Sequence, residues 1–279
     1  MIVALFANTT KKHSRSLALG VSEFLMRHNV KVVVQDEQAE SLNLPALSTI
    51  STDTVDFVIS MGGDGTILQL VHTYPNLTAP ILGINIGHLG FMADVPISDL
   101  YPSLQDLLAG AYRIDKRLVL QGENLQKQTC FAINEIVIHR GKNPSLIEIA
   151  IHVDGEYLNT FEADGVILST PNGSTAYSLA AGGPILSPGL EAVVLTPISP
   201  HTISNRPIVL TANQEIQIQY LSDYDPVEVR ADGLERFELS TGEVFKICRS
   251  PRSFELISLL RRDYFSTLRT KLGWSGKLR

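Results

Sequence analysis

The sequence predicts two domains of different class, an α/β domain with a parallel sheet followed by a β-rich domain, and a helical C-terminal tail. In residues 1–100, continuous apolar runs of strand length alternate with amphipathic runs, which is typical of a parallel sheet covered on both faces. After about residue 115, short runs alternate apolar with polar residues between turn signals. We therefore expect domains at residues 1–110 and 111–250, and a tail at residues 251–279 that packs back on the first domain.

The first domain contains four predicted strands and two predicted helices. The strands are the apolar runs at residues 2–7, 31–35, 54–60 and 80–87. The first helix covers residues 16–29, where Leu17, Val21 and Leu25 fall on one face. The second covers residues 66–74 and directly follows a glycine-rich turn.

The second domain is predicted from short alternating runs. These runs are residues 117–125, 128–141, 146–161, 227–235 and 242–250. Asp154-Gly155 divides one of them, and this dipeptide favours the backbone angles of a tight hairpin. Residues 259–274 have Leu and Tyr at i, i+4 spacing and predict a tail helix. The tail is basic, so it either covers an acidic surface or phosphates, or it forms a solvated helix face.

Composition is that of a globular protein, with 44% hydrophobic and 19% charged residues. The net charge of −6 argues against broad nucleic-acid binding. Cys130 and Cys248 lie far apart and match no metal or redox spacing, which suits a reducing cytoplasm. No run reaches transmembrane length. We therefore expect a cytoplasmic protein that has neither a membrane nor a nucleic acid as its partner.

Residues 59–71 read ISMGGDGTILQLV and place the carboxylate of Asp64 among the glycines of a strand-to-helix turn. A hairpin is excluded because the following residues have helical periodicity. A P-loop would need a Lys, and a dinucleotide-binding motif would need a third glycine where Leu68 stands. An unaided carboxylate facing phosphate would also be repelled, by roughly 4 kcal/mol at 4 Å in an effective dielectric of 20.

A third interpretation accounts for both the glycines and the acid. The glycine N–H groups and the helix N-terminus hold phosphates. Asp64 then either accepts the proton of a hydroxyl group or faces a cation. Phosphoryl transfer asks a protein for little more than positioning and proton acceptance. A magnesium ion would offset the repulsion between the carboxylate and the phosphates.

A second glycine cluster, GINIGHLGFMADV at residues 83–95, follows the next predicted strand. Ligands of parallel sheets gather beyond the carboxyl ends of the strands, so both clusters are expected on the same rim. Gly87 and Gly90 allow close backbone approach. Phe91 either stacks on a flat ring or lies in the core.

Two polar segments of the second domain also point to a ligand. Asn134-Glu135 interrupts a predicted strand, and one of the pair should lie on the less expected face because adjacent strand residues point to opposite sides. Asn suits a base edge or a carboxamide, and Glu suits amines or hydroxyls. In TPNGSTAYSLAAGGP (170–184), a turn precedes a short helix that Ser174 or Thr175 can cap. The scattered histidines assign no metal ligand.

Taken together, these segments resemble the NAD kinase family. The matching stretches are GGDGT at 62–66, INIGHLGFM at 84–92, NE at 134–135, ADGVILSTPNGSTAYSLAAGGPIL at 163–186 and PHTISNRPIVL at 200–210. GGDGT alone also occurs in lipid kinases of the diacylglycerol-kinase type and in 6-phosphofructokinases, whereas NE followed by STPNGSTAY is far more specific. The resemblance implies a Rossmann-like α/β domain, a β-sandwich-like C-terminal domain, and a homodimer or homotetramer.

The resemblance implies a Mg²⁺-dependent transfer of the γ-phosphoryl group of ATP, or in some members of polyphosphate, to the adenosine 2′-hydroxyl of NAD, giving NADP. It assigns Asp64 as the catalytic base. Carried over by position, the phosphate-binding residues are Gly62, Gly63 and Thr66. The NAD-binding residues are Gly65, Phe91, Asn134, Glu135, Asp164, Thr175, Ala176, Tyr177, Ser178 and Ala180.

The chain departs from the family pattern at four positions. Asn172 stands where Thr is usual, Ala180 where many members have Ser, Glu162 where many bacterial members have a basic residue, and Leu234 where Gln is frequent. These changes leave the phosphoryl chemistry intact and leave the preference between NAD and NADH open. Two other functions also stay open, a lipid kinase, which the basic tail would suit, and a dinucleotide sensor without catalysis.

Overall fold

The structure is a computed structural model that describes residues 1–8, 14–202 and 204–276. The chain divides into two compact units. Unit 1 comprises Met1–Asp115 together with Glu255–Arg279, and unit 2 comprises Lys116–Phe254. Residues from Glu255 onward therefore belong to the same unit as the N-terminal residues.

The first part of the chain forms alternating strands and helices. Its strands are β1 (Ile2–Ala7), β2 (Lys31–Val34), β3 (Phe57–Gly62), β4 (Ile81–Asn85), β5 (Val95–Pro96) and β6 (Tyr112–Arg117). Its helices are α1 (Ser14–Arg27), α2 (Asp36–Leu42), α3 (Asp64–Thr73) and α4 (Leu100–Leu108). The predicted strands and both predicted helices of this part are confirmed with small shifts of their ends, while α2 and α4 were not predicted.

Unit 2 is formed almost entirely of strands. They are β7 (Leu120–Glu123), β8 (Thr129–Ala132), β9 (Glu135–His139), β10 (Ile147–Val153), β11 (Glu156–Ala163), β12 (Gly165–Ser169), β13 (Ala192–Ile198), β14 (Ile208–Thr211), β15 (Ile216–Tyr220), β16 (Val227–Ala231), β17 (Glu235–Leu239) and β18 (Val244–Arg249). The single α-helix of its described residues is α5 (Tyr177–Ala180). Asp154 and Gly155 have φ angles of 52° and 83° between β10 and β11, so the predicted hairpin is confirmed.

The chain ends in unit 1 with β19 (Phe254–Leu259) and α6 (Tyr264–Leu272). The main sheet of this unit has the order β2-β1-β3-β4-β19-β6, with β5 paired to β4. Pairs from β2 to β19 are parallel. The tail prediction was therefore wrong at its start, because residue 259 ends a strand and the helix begins only at Tyr264.

The parallel sheet of unit 1 is buried by helices. Ile59 and Leu82 are fully buried on neighbouring strands, and Val21 and Leu25 of α1 and Leu104 of α4 pack into the same core. Strands whose residues are buried on both faces need continuous apolar runs, as the sequence has. The carboxyl ends of β3 and β4 lie side by side, which places both glycine clusters at one edge of the sheet.

Unit 2 contains two six-stranded antiparallel sheets, β11-β10-β15-β18-β7-β8 and β14-β13-β12-β9-β16-β17. Ile149, Ile218 and Phe245 from the first sheet share one apolar core with Ile138 and Leu168 from the second. Two antiparallel sheets around a common core form a sandwich-like architecture. The predicted fold class, α/β followed by all-β with a C-terminal helix, is confirmed.

Candidate active site

The glycine turn joins the end of β3 to the start of α3. Gly62 is the last residue of the strand, Gly63 precedes the helix, and Asp64 is the first helical residue. The Thr66 side chain folds back over the turn, where its Oγ1 accepts the Gly63 N–H at 3.3 Å. A Cβ at Gly62 would come within 2.1 Å of Thr66 Oγ1, so a glycine at this position makes room for the contact.

The carboxylate of Asp64 is held by three backbone N–H groups from the segment after β4. Oδ2 accepts the N–H of Phe91 at 2.8 Å, and Oδ1 accepts those of Met92 and Ala93 at 3.1 and 2.9 Å. A Cβ at Gly90 would lie 2.0 Å from Oδ1, so this glycine leaves space for the carboxylate. A carboxylate has four lone-pair positions, and these donors leave one of them, on Oδ2, for another partner.

The first turn of α3 presents N–H groups to an incoming anion. Those of Asp64 and Gly65 have no carbonyl within the helix to bond, and the helix dipole adds positive potential at this end. The Gly63 N–H is already bonded to Thr66. A Cβ at Gly65 would meet no atom within 4 Å. Unlike Gly62, Gly65 is therefore not required by packing. A ligand that approaches the backbone closely would explain why this position is a glycine.

A cavity of about 520 Å³ opens beside this turn. Its lining includes the side-chain amides of Asn8, Gln35, Gln38 and Gln69. Gln38 is buried, and its Nε2 donates to the Ala7 carbonyl at 2.7 Å and to Gln35 Oε1 at 2.9 Å. Its Oε1 is also buried, and within the described ranges it accepts no hydrogen bond. Gln38 thus belongs to the cavity lining, while its Oε1 is shielded from solvent.

Phe91 is half-buried and contacts the C-terminal helix. Its ring centroid lies 6.2 Å from that of Tyr264, and Lys271 Nζ lies 5.5 Å above the ring. The Phe91 backbone is thus bound to Asp64 while its side chain packs against α6. Its assigned place at the edge of an adenine pocket stays a prediction.

In unit 2, Asn134 and Glu135 lie where β8 gives way to β9, so residues 128–141 form two strands instead of one. Both side chains are buried, and Asn134 precedes the first residue of β9. The carboxylate of Asp232 bonds to the backbone at this interruption between β8 and β9. Its Oδ2 accepts the N–H of Ile133 at 2.8 Å, and its Oδ1 accepts those of Asn134 and Glu135 at 2.8 and 3.2 Å.

The loop after β12 contacts the same interruption between β8 and β9. The Thr170 N–H donates to the Asn134 carbonyl at 2.8 Å, and a Cβ at Gly173 would lie 2.1 Å from that oxygen. Asn172 Nδ2 donates to Asn134 Oδ1 at 2.7 Å. The departure from Thr at position 172 therefore places an amide directly against a predicted NAD-binding residue.

Burial raises the pKa of Glu135 to about 8, with a further upward contribution from the charge of Asp232 and a downward one from the Tyr177 N–H. Its Oε2 is buried and has no hydrogen-bond partner among the described residues. At neutral pH most molecules therefore carry a protonated Glu135. A protonated carboxyl can donate a hydrogen bond as well as accept one.

The residues before and within α5 differ in exposure. Thr175 and Ala176 are half-buried, and Tyr177 and Ala180 are exposed. The Thr175 hydroxyl donates to the Asn172 carbonyl at 3.1 Å and does not cap α5. The helix begins at Tyr177, whose N–H bonds to the buried carboxyl of Glu135.

Two serines of this stretch have interior contacts. Ser174 Oγ donates to the Pro171 carbonyl at 2.7 Å and accepts the Leu186 N–H at 2.9 Å, so the capping prediction for Ser174 was wrong. Ser178 is fully buried and its hydroxyl lies 2.9 Å from that of Thr196. A contact between the Ser178 hydroxyl and NAD stays a prediction.

Asp164 lies apart from the other predicted residues. Its neighbour Gly165 pairs with His139, four residues along β9 from Glu135, which is roughly 13 Å of strand. The Asp164 carboxylate forms an ion pair with Arg140, with Nε and Oδ1 2.7 Å apart. The structure thus separates Asp164 from the buried carboxyl by a distance that only an extended ligand would span.

The other two departures lie on the surface of unit 2. The Glu162 carbonyl accepts the His201 N–H at 2.8 Å, and its carboxylate lies 3.6 Å from His201 Nδ1. Leu234 is 45% exposed and follows a hairpin turn in which Asp232 and Gly233 have φ angles of 50° and 71°. Leu234 thus lies two residues after Asp232, whose carboxylate bonds to the backbone between β8 and β9.

Family models match both halves of the chain. The model of the ATP-NAD kinase N-terminal domain matches residues 3–112, and that of the ATP-NAD kinase C-terminal domain matches residues 133–259. The chain belongs to the ATP-NAD kinase family. The family and the enzyme class predicted from the sequence are confirmed.

Relatives and solved structures agree with this membership. The NAD kinase of Protochlamydia amoebophila is 55% identical over the full length of both chains, and that of Moorella thermoacetica is 37% identical over 98% of this chain and 90% of its own. A yeast NADH kinase solved with NADH has a TM-score of 0.87 at 28% identity, covering 100% of this chain and 89% of its own. An Archaeoglobus fulgidus NAD kinase solved with ATP has a TM-score of 0.77 at 27% identity, covering 99% and 100%.

Sequence reasoning missed several residues that contact the predicted site residues or line the cavity. Asp232 was signalled only by its Asp-Gly turn, the same signal that located the hairpin at Asp154. Arg140 and Gln38 had no motif at all. Within the described ranges, no three or more His, Cys, Asp or Glu side chains are grouped to hold a metal. No helix in the part of the chain that the structure describes is long and apolar enough to cross a membrane.

Proposed function

We propose that this chain transfers the γ-phosphoryl group of ATP to the 2′-hydroxyl of the adenosine ribose of NAD, giving NADP, with Asp64 as general base. The observation that carries the proposal is the setting of Asp64, a carboxylate oriented by three N–H donors at a helix N-terminus with open space beside Gly65. The remaining lone pair of Oδ2 can accept the proton of an attacking hydroxyl.

Positioning explains how an acid can work beside phosphates. The N–H groups of Asp64 and Gly65 bind the donor's phosphates, and the bond between Thr66 and Gly63 maintains the turn. Because three donors fix the Asp64 carboxylate, its charge is balanced by N–H dipoles and its free lone pair keeps one direction. The acceptor hydroxyl then meets both a base and the terminal phosphorus, which is what phosphoryl transfer requires.

Mg²⁺ fits this site as an ion held mainly by the donor. Mg²⁺ commonly binds one or two carboxylates together with substrate phosphates and waters. The described residues group no three potential ligands, and the one free lone pair of Asp64 is assigned to the attacking hydroxyl, so the phosphates and waters would supply the coordination. When bound, the ion supplies positive charge that offsets the repulsion between the phosphates and Asp64.

For the dinucleotide, we assign the central contacts to Asn134 and Glu135. Because Asn134 Oδ1 is bonded to Asn172, the Asn134 Nδ2 group is free to donate to the ligand. Protonated Glu135 supplies a second donor. The yeast NADH kinase solved with NADH supports a dinucleotide as ligand of this fold. By family position, the remaining contacts are Gly65, Phe91, Asp164, Thr175, Ala176, Tyr177, Ser178 and Ala180.

ATP is our proposed donor, in preference to polyphosphate, because four side-chain amides line the cavity beside the turn. An amide offers a donor and an acceptor in one plane, which suits the edge of a nucleoside base, whereas an ionised polyphosphate chain can only accept hydrogen bonds. The Archaeoglobus fulgidus NAD kinase solved with ATP supports the same choice.

NADP formation with ATP or tripolyphosphate as donor, and NAD or NADH as acceptor, tests the proposal. We expect Gln69→Met, which replaces an exposed amide of the cavity lining, to lower kcat/KM for ATP by about five- to tenfold and to leave the activity with tripolyphosphate unchanged. Gln105→Met is the matched control, since Gln105 is exposed on α4 and does not line the cavity. Tripolyphosphate used better than ATP would contradict the donor, and no NADP with any pair would contradict the function.

We also propose that the enzyme works in the cytoplasm as a homodimer or homotetramer. The family resemblance carries this proposal, and exposed apolar side chains of unit 2, among them Tyr157, Leu190 and Tyr224, are candidates for the subunit contact. Light scattering on the purified protein measures the oligomer, and a monomer at assay concentration would contradict it.

A further inference from the structure

Part of the C-terminal tail contacts the segment that holds Asp64. We name three side chains of the tail the C-terminal clamp, namely Arg262, Tyr264 and Lys271. Their partners lie between Phe91 and Asp99, within unit 1. Of the two alternatives for the basic tail, contact with an acidic surface is the one found for Arg261 and Arg262, which both bind Asp99.

Arg262 makes the most direct of these contacts. Its side chain is only 18% exposed. Nη1 donates to the Asp94 carbonyl at 2.7 Å, and Nη2 donates to Asp99 Oδ2 at 2.6 Å. Both are charge-assisted hydrogen bonds, which are stronger than neutral ones. The guanidinium thus ties the backbone at Asp94 to the residue that precedes α4.

Asp94 is one residue from the N–H groups that orient the base. The Ala93 N–H lies 2.9 Å from Asp64 Oδ1, and the Ala93 carbonyl accepts the Gly90 N–H at 3.0 Å. Ala93 is fully buried. The segment is therefore fixed by a turn on one side and by Arg262 on the other. A shift of this backbone would move the N–H groups, and the carboxylate would follow them.

The clamp also contacts the other end of the segment. Tyr264 and Lys271 pack on the Phe91 ring, and the Phe91 N–H donates to Asp64 Oδ2 at 2.8 Å. Side chains of the tail therefore reach both ends of the stretch whose N–H groups bind the carboxylate. This arrangement gives the tail a role in placing Asp64 without any contact to Asp64 itself.

We propose that Arg262 is a positioning residue for phosphoryl transfer, which fixes residues 91–94 so that their N–H groups orient the Asp64 carboxylate. The proposal rests on the proposed role of Asp64 as base. Lys at position 262 would replace Arg only in part, because a single ammonium group lacks the planar fork that bonds a carbonyl and a carboxylate at once.

Arg261 provides a matched control beside Arg262. Its guanidinium shares the Asp99 carboxylate, at 3.1 Å, and also bonds to Asp106 and to the Ser103 hydroxyl. These partners belong to α4 and the residue before it, not to the segment that binds Asp64. Replacing Arg261 therefore removes a similar charge and similar ion pairs from the same surface.

The experiment compares the full-length wild type with Arg262→Gln, Arg262→Lys and Arg261→Gln, at a temperature at which all four are folded. We expect Arg262→Gln to lower kcat by about tenfold or more with KM for NAD and ATP within about twofold, because misplaced catalytic groups cost rate more than ground-state binding. Arg262→Lys should recover part of the loss, and Arg261→Gln should stay within about twofold of the wild type. Amide hydrogen exchange at Phe91, Met92 and Ala93 should accelerate only in the Arg262 variants.

A double variant separates this proposal from the one it rests on. In an Asp64→Asn background, Arg262→Gln should lower kcat no further, since its effect passes through the carboxylate. Equal kcat in Arg262→Gln and Arg261→Gln would overturn the positioning role. So would a loss of kcat from Arg262→Gln that is as large in the Asp64→Asn background as in the wild type. Full activity of Asp64→Asn alone would instead refute the base, and the exchange of the three amides would still show whether Arg262 holds the segment.

Discussion

Asp64 in unit 1 and Asp232 in unit 2 have nearly the same immediate partners. Each carboxylate accepts three consecutive backbone N–H groups, from Phe91 to Ala93 in one case and from Ile133 to Glu135 in the other. In both cases one oxygen accepts two of the donors and the other accepts one. Judged by hydrogen bonds alone, the two aspartates would be assigned the same role.

They differ in what lies beside the carboxylate. Asp64 begins a helix next to Gly65, where there is open space. Asp232 stands in a left-handed hairpin turn and lies close to Glu135, a buried carboxyl whose pKa it raises. The same arrangement of N–H groups therefore holds a carboxylate beside open space at a helix N-terminus in unit 1. In unit 2 it holds a carboxylate whose charge adds to the effect of burial in raising the pKa of Glu135. The surroundings, more than the nest of N–H groups, decide what the aspartate does.

The largest expected effect is the loss of kcat in Asp64→Asn, which should distinguish Asp64 from Asp232. Asp64→Asn should lower kcat by about 10²–10⁴-fold, because the base is lost. It should also cost about 1–3 kcal/mol of unfolding free energy, since an amide N–H₂ would face one backbone donor. Steady-state assays and urea unfolding measure the two effects. A kcat within about threefold of the wild type would remove the base from the mechanism.

The next effect concerns pH and Glu135. The unfolded chain loses this proton near the ordinary value of 4.5, whereas the folded chain keeps it until about pH 8. The folded state thus binds more protons between these values, so wild-type stability should fall as pH rises through this window. Glu135→Gln has no such proton to lose, so its stability should not fall in this way. As pH rises through the window, its free energy of unfolding relative to that of the wild type should grow by on the order of a few kcal/mol.

Urea unfolding of both proteins from about pH 5 to about pH 9 checks this difference. A stability difference that stays constant across the range would show that Glu135 titrates normally. In the same variants, KM for NAD should rise above about pH 8 in the wild type only, because only the wild type loses a donor there.

Asp232→Asn should have a smaller effect than Asp64→Asn or Glu135→Gln. Asn tolerates the left-handed turn, so the loss is one acceptor position and the charge, about 1–3 kcal/mol of unfolding free energy. Because the charge of Asp232 raises the pKa of Glu135, the pH window of the wild type should end at a lower pH in this variant. A kcat loss as large as that of Asp64→Asn would make the two aspartates equivalent and would contradict the comparison.

The sequence was sufficient for the strands and helices with clear periodicity and for the glycine turn. Continuous apolar runs predicted β1 to β4, since burial on both faces leaves no polar positions. It was insufficient for β19, because a strand that joins the sheet from the end of the chain has the same apolar residues as the helix that follows it. Asp232 had only a turn signal, because its role depends on residues about a hundred positions away.

Contacts between distant segments explain the other omissions. Arg262 lies in a run of basic residues that is compatible with a solvated helix, and only the fold places it against Asp94. Gln38 has no motif, and only the fold places it in the lining of the cavity beside the glycine turn. The glycines were easier to recognise, but the sequence did not distinguish those required by packing from those that leave space for a ligand.

The smallest expected effect tests that distinction between glycines. Gly65→Ala places a methyl group in open space on an exposed helix, so unfolding free energy should rise by about 0.5–1 kcal/mol. KM for ATP should nevertheless increase several-fold, because the methyl group stands where phosphates approach the Gly65 N–H.

The controls are two glycines that packing requires, one in each unit. A Cβ at Gly62 would lie 2.1 Å from Thr66 Oγ1, and one at Gly173 would lie 2.1 Å from the Asn134 carbonyl, so either Ala variant should lose about 1–3 kcal/mol. Melting curves and KM for ATP distinguish the three. An unchanged KM for ATP in Gly65→Ala would mean that the open space beside Asp64 is not where the donor binds, and Asp64 would then lose the feature that separates it from Asp232.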